Sequence, residues 1–134
     1  MSKFSQYFFL VFFFTIVLDQ FSKFIAGKFG LIEVNCGFSF GIACTSFSFL
    51  LHVFSLIGIV IFFGVLLSRL SGVEAAFLGA ACSNLIDRVV FGGVRDWIVF
   101  GPIQNNLADW ILVLSGIFIC IVQSQHGTNH TDSI

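Results

Sequence analysis

Apolar residues run along this chain in long blocks that short polar stretches separate. Four blocks reach or approach the roughly 20 apolar residues that a helix needs to cross a hydrocarbon core of about 30 Å. They span about residues 4–26, 47–67, 73–90 and 107–122. The pattern predicts a membrane all-α bundle of four transmembrane helices within a single integral membrane domain, residues 1–134.

The segments between these blocks have a different character. Residues 27–46 and 91–106 mix glycine, polar and β-prone residues, which predicts extended or looped segments at the membrane surface. No small-x-small cleavage site follows the first block, so we expect it to be retained as the first span. The polar tail, residues 123–134, lacks the apolar residues for a core and is predicted to be disordered.

The composition agrees with a lipid environment and excludes other classes. Hydrophobic residues make up 57% of the chain and charged residues 10%, so membrane lipids are the expected surroundings. The formal net charge is -1, and six dispersed basic residues form no stripe for phosphates, so we expect no nucleic acid partner. The four cysteines show no metal-ligand spacing, and we predict neither a metal nor a cofactor.

The polar residues of the spans gather on one side of the predicted bundle. Because successive spans reverse direction, the end of the first, the end of the third and the start of the fourth emerge on the same face. The residues placed there are Asp19, Lys23, Asn35, Asn84, Asp87, Arg88, Asp96, Asn105, Asn106 and Asp109. Ionisable groups near hydrocarbon are costly unless they pair or meet water, so this cluster indicates a functional site. Arg69 and Glu74 fall on the opposite face, where we expect ordinary loop residues.

Helical spacing suggests partners for some of these side chains. Asp19 and Lys23 are four residues apart, which predicts a structural polar pair on one helix face. Asn84 and Arg88 have the same spacing and would present an amide beside a guanidinium, suited to a peptide backbone or a polar headgroup. We interpret Asp87 as structural, either pairing with Arg88 or capping the helix end.

Asp96 and Asp109 have no basic partner at helical spacing, although Arg95 adjoins Asp96 and could partly neutralise it. Two carboxylates brought together near an apolar boundary can share one proton near neutral pH. One could then take a proton from water while the other donates a proton to a scissile carbonyl. No HExxH, GxSxG, Walker or GxGxxG motif offers residues for another mechanism.

Two other interpretations use the same residues. A small membrane transport or proton-conducting subunit also gathers carboxylates at a helix mouth, and a structural subunit anchors its helix ends with polar groups. A conduction path needs polar groups through the membrane depth, but the second span offers only His52 and a few serines and glycines. The one-sided cluster therefore favours an enzyme.

Five short motifs carry a family resemblance when taken in order. They are DQFSK at 19–23, NCGFSFG at 35–41, NLIDR at 84–88, GGVRDW at 92–97 and NNLAD at 105–109. Together they resemble signal peptidase II, the lipoprotein signal peptidase family of aspartyl peptidases. The resemblance implies an endopeptidase that removes the signal peptide from diacylglyceryl-modified prolipoproteins, cutting just before the lipidated cysteine.

The same resemblance implies roles for individual residues. Asp96 and Asp109 match the family's catalytic aspartates, and no metal takes part. The positions that match the family's substrate site are Asn35, Asn84, Arg88 and Asn106. A small β-rich extracytoplasmic cradle is expected between the first and second helices.

The family also implies a setting for the enzyme. We expect a multi-pass protein of the bacterial cytoplasmic (inner) membrane, with both termini and the 123–134 tail in the cytoplasm and the active site near the outer face. Globomycin is the expected inhibitor, and we expect a monomer.

The sequence departs from the family pattern at three positions. Asn105 stands where an aromatic residue is common, and Ala80 and Ser83 stand where glycines are usual. Because two asparagines are adjacent, either could serve the site, and the register of the family's N-x-A-D motif favours Asn106. Alanine and serine are still small, so we expect close helix packing to survive.

Overall fold

The computed structural model describes residues 3–35, 72–101 and 103–128. Within these ranges the elements alternate between long helices and short strands. The second predicted span, 47–67, and most of the loop before it lie outside the described residues.

Three of the predicted spans form helices close to their expected bounds. They are α1 (Lys3–Lys28), α2 (Gly72–Phe91) and α3 (Leu107–Thr128). The last helix continues six residues past its predicted end, so residues 123–128, predicted to be disordered, are helical. Residues 123–126 are Gln, Ser, Gln and His, which can continue a helix that is already formed, and glycine follows only at 127.

Four strands of three residues each connect the helix ends. β1 (Glu33–Asn35) pairs antiparallel with β2 (Val94–Asp96), and β3 (Ile98–Phe100) pairs antiparallel with β4 (Ile103–Asn105). They form two separate two-stranded sheets in the segments predicted to be extended.

Polar and apolar side chains of α1 are distributed in the reverse of a soluble protein. Phe14 and Val17 are 62% and 64% exposed, whereas Asp19 and Lys23 are fully buried. Residues Gln6–Lys28 are long and apolar enough to cross a membrane, and Leu107–Val122 is a shorter apolar stretch. An apolar exterior around a polar interior fits a lipid surrounding.

Small residues bring α1 and α2 into close contact. A Cβ atom added to Gly79 would lie 2.6 Å from the backbone oxygen of Phe12, so the two backbones nearly touch there. Ala80 and Ser83, the departures from the family pattern, are both completely buried on α2. Close packing thus survives both substitutions.

Two glycines end α2 and turn the chain into β2. Gly92 has a φ of 74° and its N–H donates to the Arg88 carbonyl, the left-handed ending that glycine adopts most readily. A Cβ atom on Gly93 would lie 2.8 Å from the carbonyl oxygen of Asn35, so β1 passes directly over it. This turn carries Asp96 back towards the helix ends.

Glu74 differs from its sequence interpretation as a loop residue. It lies in the first turn of α2 and is only 7% exposed. An acidic side chain in the first turn is favoured by the helix macrodipole, which explains why the helix begins before this residue.

Candidate active site

The two aspartates predicted to be catalytic are joined by one side-chain amide. Asp96 ends β2, and Asp109 lies in the first turn of α3. Asn106 Nδ2 donates to Asp96 Oδ1 at 2.7 Å and to Asp109 Oδ2 at 3.0 Å. The two hydrogens of a planar amide diverge by about 120°, which sets the two carboxylate oxygens roughly 5 Å apart. One water molecule can bridge such a gap with ordinary hydrogen bonds.

Two further amide groups donate to the carboxylate oxygens that the Asn106 Nδ2 atom does not contact. Asn84 Nδ2 donates to Asp109 Oδ1 at 2.8 Å, and Asn35 Nδ2 donates to Asp96 Oδ2 at 3.2 Å. Each of the four carboxylate oxygens therefore accepts an amide N–H. No salt bridge involves either aspartate in the described ranges. Neutral donors orient the carboxylates without the direct charge neutralisation of an ion pair.

Burial and hydrogen bonding act in opposite directions on the acidity of Asp96. Burial is the largest influence, and it raises the pKa of the Asp96 carboxyl above its usual range. Hydrogen bonds from Asn106 and Asn35 pull the pKa down, while the neighbouring charge of Asp109 raises it. The net effect is a raised pKa, as expected for a member of a pair that shares a proton.

The start of α3 fixes the position of Asp109. Asn106 is the N-cap residue: its Oδ1 accepts from the Asp109 N–H at 3.0 Å, and Asp109 Oδ2 accepts from the Asn106 N–H at 3.4 Å. This reciprocal pair is a capping box. Asp19 Oδ1 accepts from the Ala108 N–H at 2.8 Å, so α1 holds the same turn.

A buried charge cluster lies beside the aspartates. Lys23 Nζ is 2.6 Å from Asp19 Oδ2 and 3.0 Å from Asp87 Oδ2, and all three side chains are fully buried. The same ammonium donates to Asn84 Oδ1 at 3.0 Å. The predicted Asp19–Lys23 pair is therefore present, within a larger network.

Arg95 belongs to this cluster, whereas its place in the sequence suggested that it could neutralise Asp96. Its Nη2 lies 2.7 Å from Asp87 Oδ1 and donates to Gln20 Oε1 at 2.6 Å. The expected partial neutralisation of Asp96 by Arg95 does not occur as an ion pair, because neighbours on a strand point to opposite faces. Asp87 likewise pairs with Lys23 and Arg95 rather than with Arg88, since adjacent residues on a helix do not face each other.

The remaining predicted residues lie around this site. Arg88 is partly buried one turn after Asn84, and its Nη1 donates to the Asn84 carbonyl at 3.1 Å. The side chain of Asn106 contacts the aspartates, as the register favoured. The Asn105 carbonyl instead accepts from the Trp97 N–H, which extends the β3–β4 ladder.

The hydrogen-bonding roles of Gln20 and Ser83 were not predicted from the sequence. Gln20 Nε2 donates to Ser83 Oγ at 2.9 Å and to Asp87 Oδ1 at 2.9 Å, and Ser83 Oγ donates to Asp19 Oδ2 at 2.7 Å. The available signal was a glutamine within an apolar span and a serine one turn before Asp87. In the described part of the chain, no three His, Cys, Asp or Glu side chains are grouped so that they could hold a metal ion.

Comparison with known proteins identifies the family. The family model described as signal peptidase (SPase) II matches residues 11–125. A lipoprotein signal peptidase from Caldanaerobacter subterraneus subsp. tengcongensis is 32% identical over 127 residues, covering 79% of this chain and 88% of the relative.

A similar fold is found among solved structures. It is a bacterial membrane enzyme determined by the in meso method at 2.3 Å resolution, with a TM-score of 0.73 and 23% identity. The similarity covers 91% of this chain and 90% of that one. The structural likeness shows a shared fold, while the sequence matches confirm the resemblance that the five motifs indicated. On these matches, the chain belongs to the signal peptidase II family of aspartic peptidases.

Proposed function

We propose that this protein removes the signal peptide from diacylglyceryl-modified prolipoproteins and cuts just before the lipidated cysteine. Family membership and the curated relative support the reaction class. The observation that carries the chemistry is the Asn106 amide, which donates to both Asp96 and Asp109 and so joins the two carboxylates.

In the proposed mechanism the two aspartates act as one acid–base unit. The ionised carboxylate takes a proton from the bridging water as its oxygen attacks the scissile carbonyl, and the protonated carboxyl donates to the carbonyl oxygen. When the tetrahedral intermediate collapses, the C–N bond breaks and the leaving amine takes the proton that the first carboxylate drew from water. The second carboxylate takes back its proton from the hydroxyl as the new carbonyl forms. The raised pKa of Asp96 suits a dyad that holds one proton near neutral pH.

The substrate contacts proposed here follow the residues around the dyad. Asn35, Asn84 and Asn106 order the carboxylates and border the space where a peptide has to lie. Arg88, anchored to the Asn84 carbonyl, places a guanidinium beside that space, where it suits a peptide carbonyl. The apolar outer faces of the helices suit the diacylglyceryl chains of a membrane-embedded precursor.

The proposal includes the setting that the family implies. The chain is placed in the bacterial inner membrane as a monomer of four spans, the second at about 47–67, with both termini cytoplasmic. The β1–β2 and β3–β4 sheets form part of the proposed extracytoplasmic cradle near the outer face. Family membership does not favour the alternative, a transport or proton-conducting subunit.

Cleavage of a defined precursor tests this proposal. Purified protein is incubated with a diacylglyceryl-modified prolipoprotein, with and without globomycin, and the products are identified by mass spectrometry. The control is the same precursor with its lipid-bearing cysteine replaced by serine. We expect inhibitable cleavage before the modified cysteine and none of the control. Equal cleavage of both precursors, or of neither, contradicts the proposal.

A further inference from the structure

The Lys23 ammonium is the one cation in the described ranges that is fully buried. It has three N–H groups, and the structure gives each an acceptor: Asp19 Oδ2, Asp87 Oδ2 and Asn84 Oδ1. Two of these acceptors are carboxylates that belong to the buried cluster. The third acceptor, Asn84 Oδ1, connects the cluster to the aspartate pair, because Asn84 Nδ2 donates to Asp109.

Asn84 is held in a single orientation by its two neighbours. An ammonium can only donate, so the oxygen of the amide has to face Lys23. An ionised carboxylate can only accept, so the NH₂ group has to face Asp109. Rotating the amide by 180° would set NH₂ against the ammonium and oxygen against the carboxylate, replacing two attractions with two repulsions.

We propose that Lys23 is a positioning residue for the reaction: its buried ammonium fixes the Asn84 amide, which thereby keeps an N–H donor on Asp109. The effect passes through the amide: within the described ranges Asp109 forms no salt bridge, so its carboxylate remains able to act as a base. This inference rests on the proposed function, since it assigns a role in the chemistry of the same aspartates.

The charge balance of the cluster suits this role. Asp19 and Asp87 carry two negative charges, and Lys23 and Arg95 carry two positive ones, linked through contacts of 2.6 to 3.0 Å. A neutral network can remain buried without drawing the dyad into an ion pair. Removing Lys23 alone leaves an uncompensated carboxylate, so a useful variant has to remove one charge of each sign.

The variant that meets this condition combines Asp19→Asn with Lys23→Met. Asparagine keeps an acceptor for the Ala108 N–H, while methionine fills the space of the lysine stem without a donor for Asn84. We expect kcat for a lipid-modified precursor to fall about tenfold or more, with KM unchanged, because the orientation of Asn84 is released. The matched control is Thr15→Val, a buried polar position on α1 whose hydroxyl donates to the Val11 carbonyl of the same helix. It should keep wild-type kcat.

A double-mutant cycle separates positioning from a general structural effect. If Lys23 acts through Asn84, adding Asp19→Asn and Lys23→Met to Asn84→Ala lowers kcat no further than Asn84→Ala alone. Losses that multiply would overturn the inference, and so would wild-type kcat in the charge-balanced variant. If that variant does not fold, Asn84→Asp is decisive: it keeps an acceptor for Lys23 but loses the donor to Asp109. Wild-type kcat in Asn84→Asp would overturn the inference.

The outcome is distinguishable from failure of the proposed function. If the wild-type protein does not cleave the lipid-modified precursor, the proposed function fails, and if Asp109→Asn still cleaves it, the proposed dyad fails. If Asp109→Asn is inactive while the charge-balanced variant and Asn84→Asp keep wild-type kcat, only the inference about Lys23 fails.

Discussion

Asn106 and Asp109 hold each other at the start of α3 through two reciprocal hydrogen bonds. The Asn106 side-chain oxygen accepts from the Asp109 N–H at 3.0 Å, and an Asp109 carboxylate oxygen accepts from the Asn106 N–H at 3.4 Å. The same asparagine donates to both aspartates from its nitrogen. One residue thus begins the helix and sets the spacing of the proposed dyad.

Replacing Asn106 with serine separates these two tasks. Serine is as good an N-cap residue as asparagine, so α3 should still begin at this position. Loss of the donor to two carboxylates should lower the free energy of unfolding by about 1 to 3 kcal/mol. The hydroxyl cannot donate to two carboxylates, and we expect kcat to fall by about 100-fold, the scale seen when one active-site donor is removed. Thermal unfolding in detergent and precursor cleavage measure the two effects. Wild-type kcat in Asn106→Ser would show that the amide bridge is dispensable.

The pH dependence of cleavage should respond to Asn35. Its N–H stabilises the ionised form of Asp96, so Asn35→Ala favours the protonated form and raises the pKa of Asp96 further. Activity requires the dyad to keep one proton, and the alkaline limb of kcat/KM reports its loss. We expect this limb to move to higher pH in Asn35→Ala.

A variant of the strand region provides the control for this shift. Val99 lies on β3 with its uncharged side chain 57% exposed, so Val99→Ala should leave the alkaline limb in place. A shift to lower pH in Asn35→Ala would contradict the effect assigned to its hydrogen bond.

Two glycine-to-alanine changes should have opposite effects on stability. At Gly79 the new Cβ would lie 2.6 Å from the Phe12 backbone oxygen, so α1 and α2 have to separate. At Gly116 it would meet the Phe77 ring at 3.5 Å, an ordinary contact, and alanine gains up to about 1 kcal/mol of helix propensity. Thermal unfolding should show a lower midpoint for Gly79→Ala and an unchanged or higher midpoint for Gly116→Ala. Equal midpoints would show that α1 and α2 do not approach this closely.

The Ser83 hydroxyl should contribute to stability through the buried cluster. Ser83→Ala removes the donor to Asp19 Oδ2 and an acceptor for Gln20, which should cost about 1 to 3 kcal/mol. Ser22 donates only to the carbonyl of Asp19 on its own helix, so Ser22→Ala is a matched control with a smaller effect. Thermal unfolding compares the two, and an equal loss from both would contradict the role given to the cluster.

Hydrophobic periodicity and length predicted three helices to within a few residues, apart from the end of α3. The family motifs singled out the two aspartates that the structure brings together. Both predictions rest on short-range patterns, since a span is identified from one continuous block of apolar residues and each motif from a few neighbouring residues. The four-residue spacing of Asp19 and Lys23 also placed that pair on one helix face.

Contacts between separate elements were harder to predict from the sequence. The Asp87–Arg95 ion pair depends on a turn at Gly92 and Gly93 that reverses the chain, and adjacency in sequence instead suggested partners that face away. The Asp19 contact with Ala108 joins residues from the first and last helices. Such contacts depend on how helices pack, which local spacing does not encode.

The most direct test of the central claim is cleavage of a lipid-modified precursor by Asp96→Asn and Asp109→Asn, each purified from membranes beside the wild type. Asparagine keeps the size of aspartate but can neither take a proton from water nor hold one for the carbonyl. We predict that both variants fold, as judged by thermal unfolding, and that neither cleaves the precursor. Cleavage at a wild-type rate by either folded variant would contradict the aspartyl dyad.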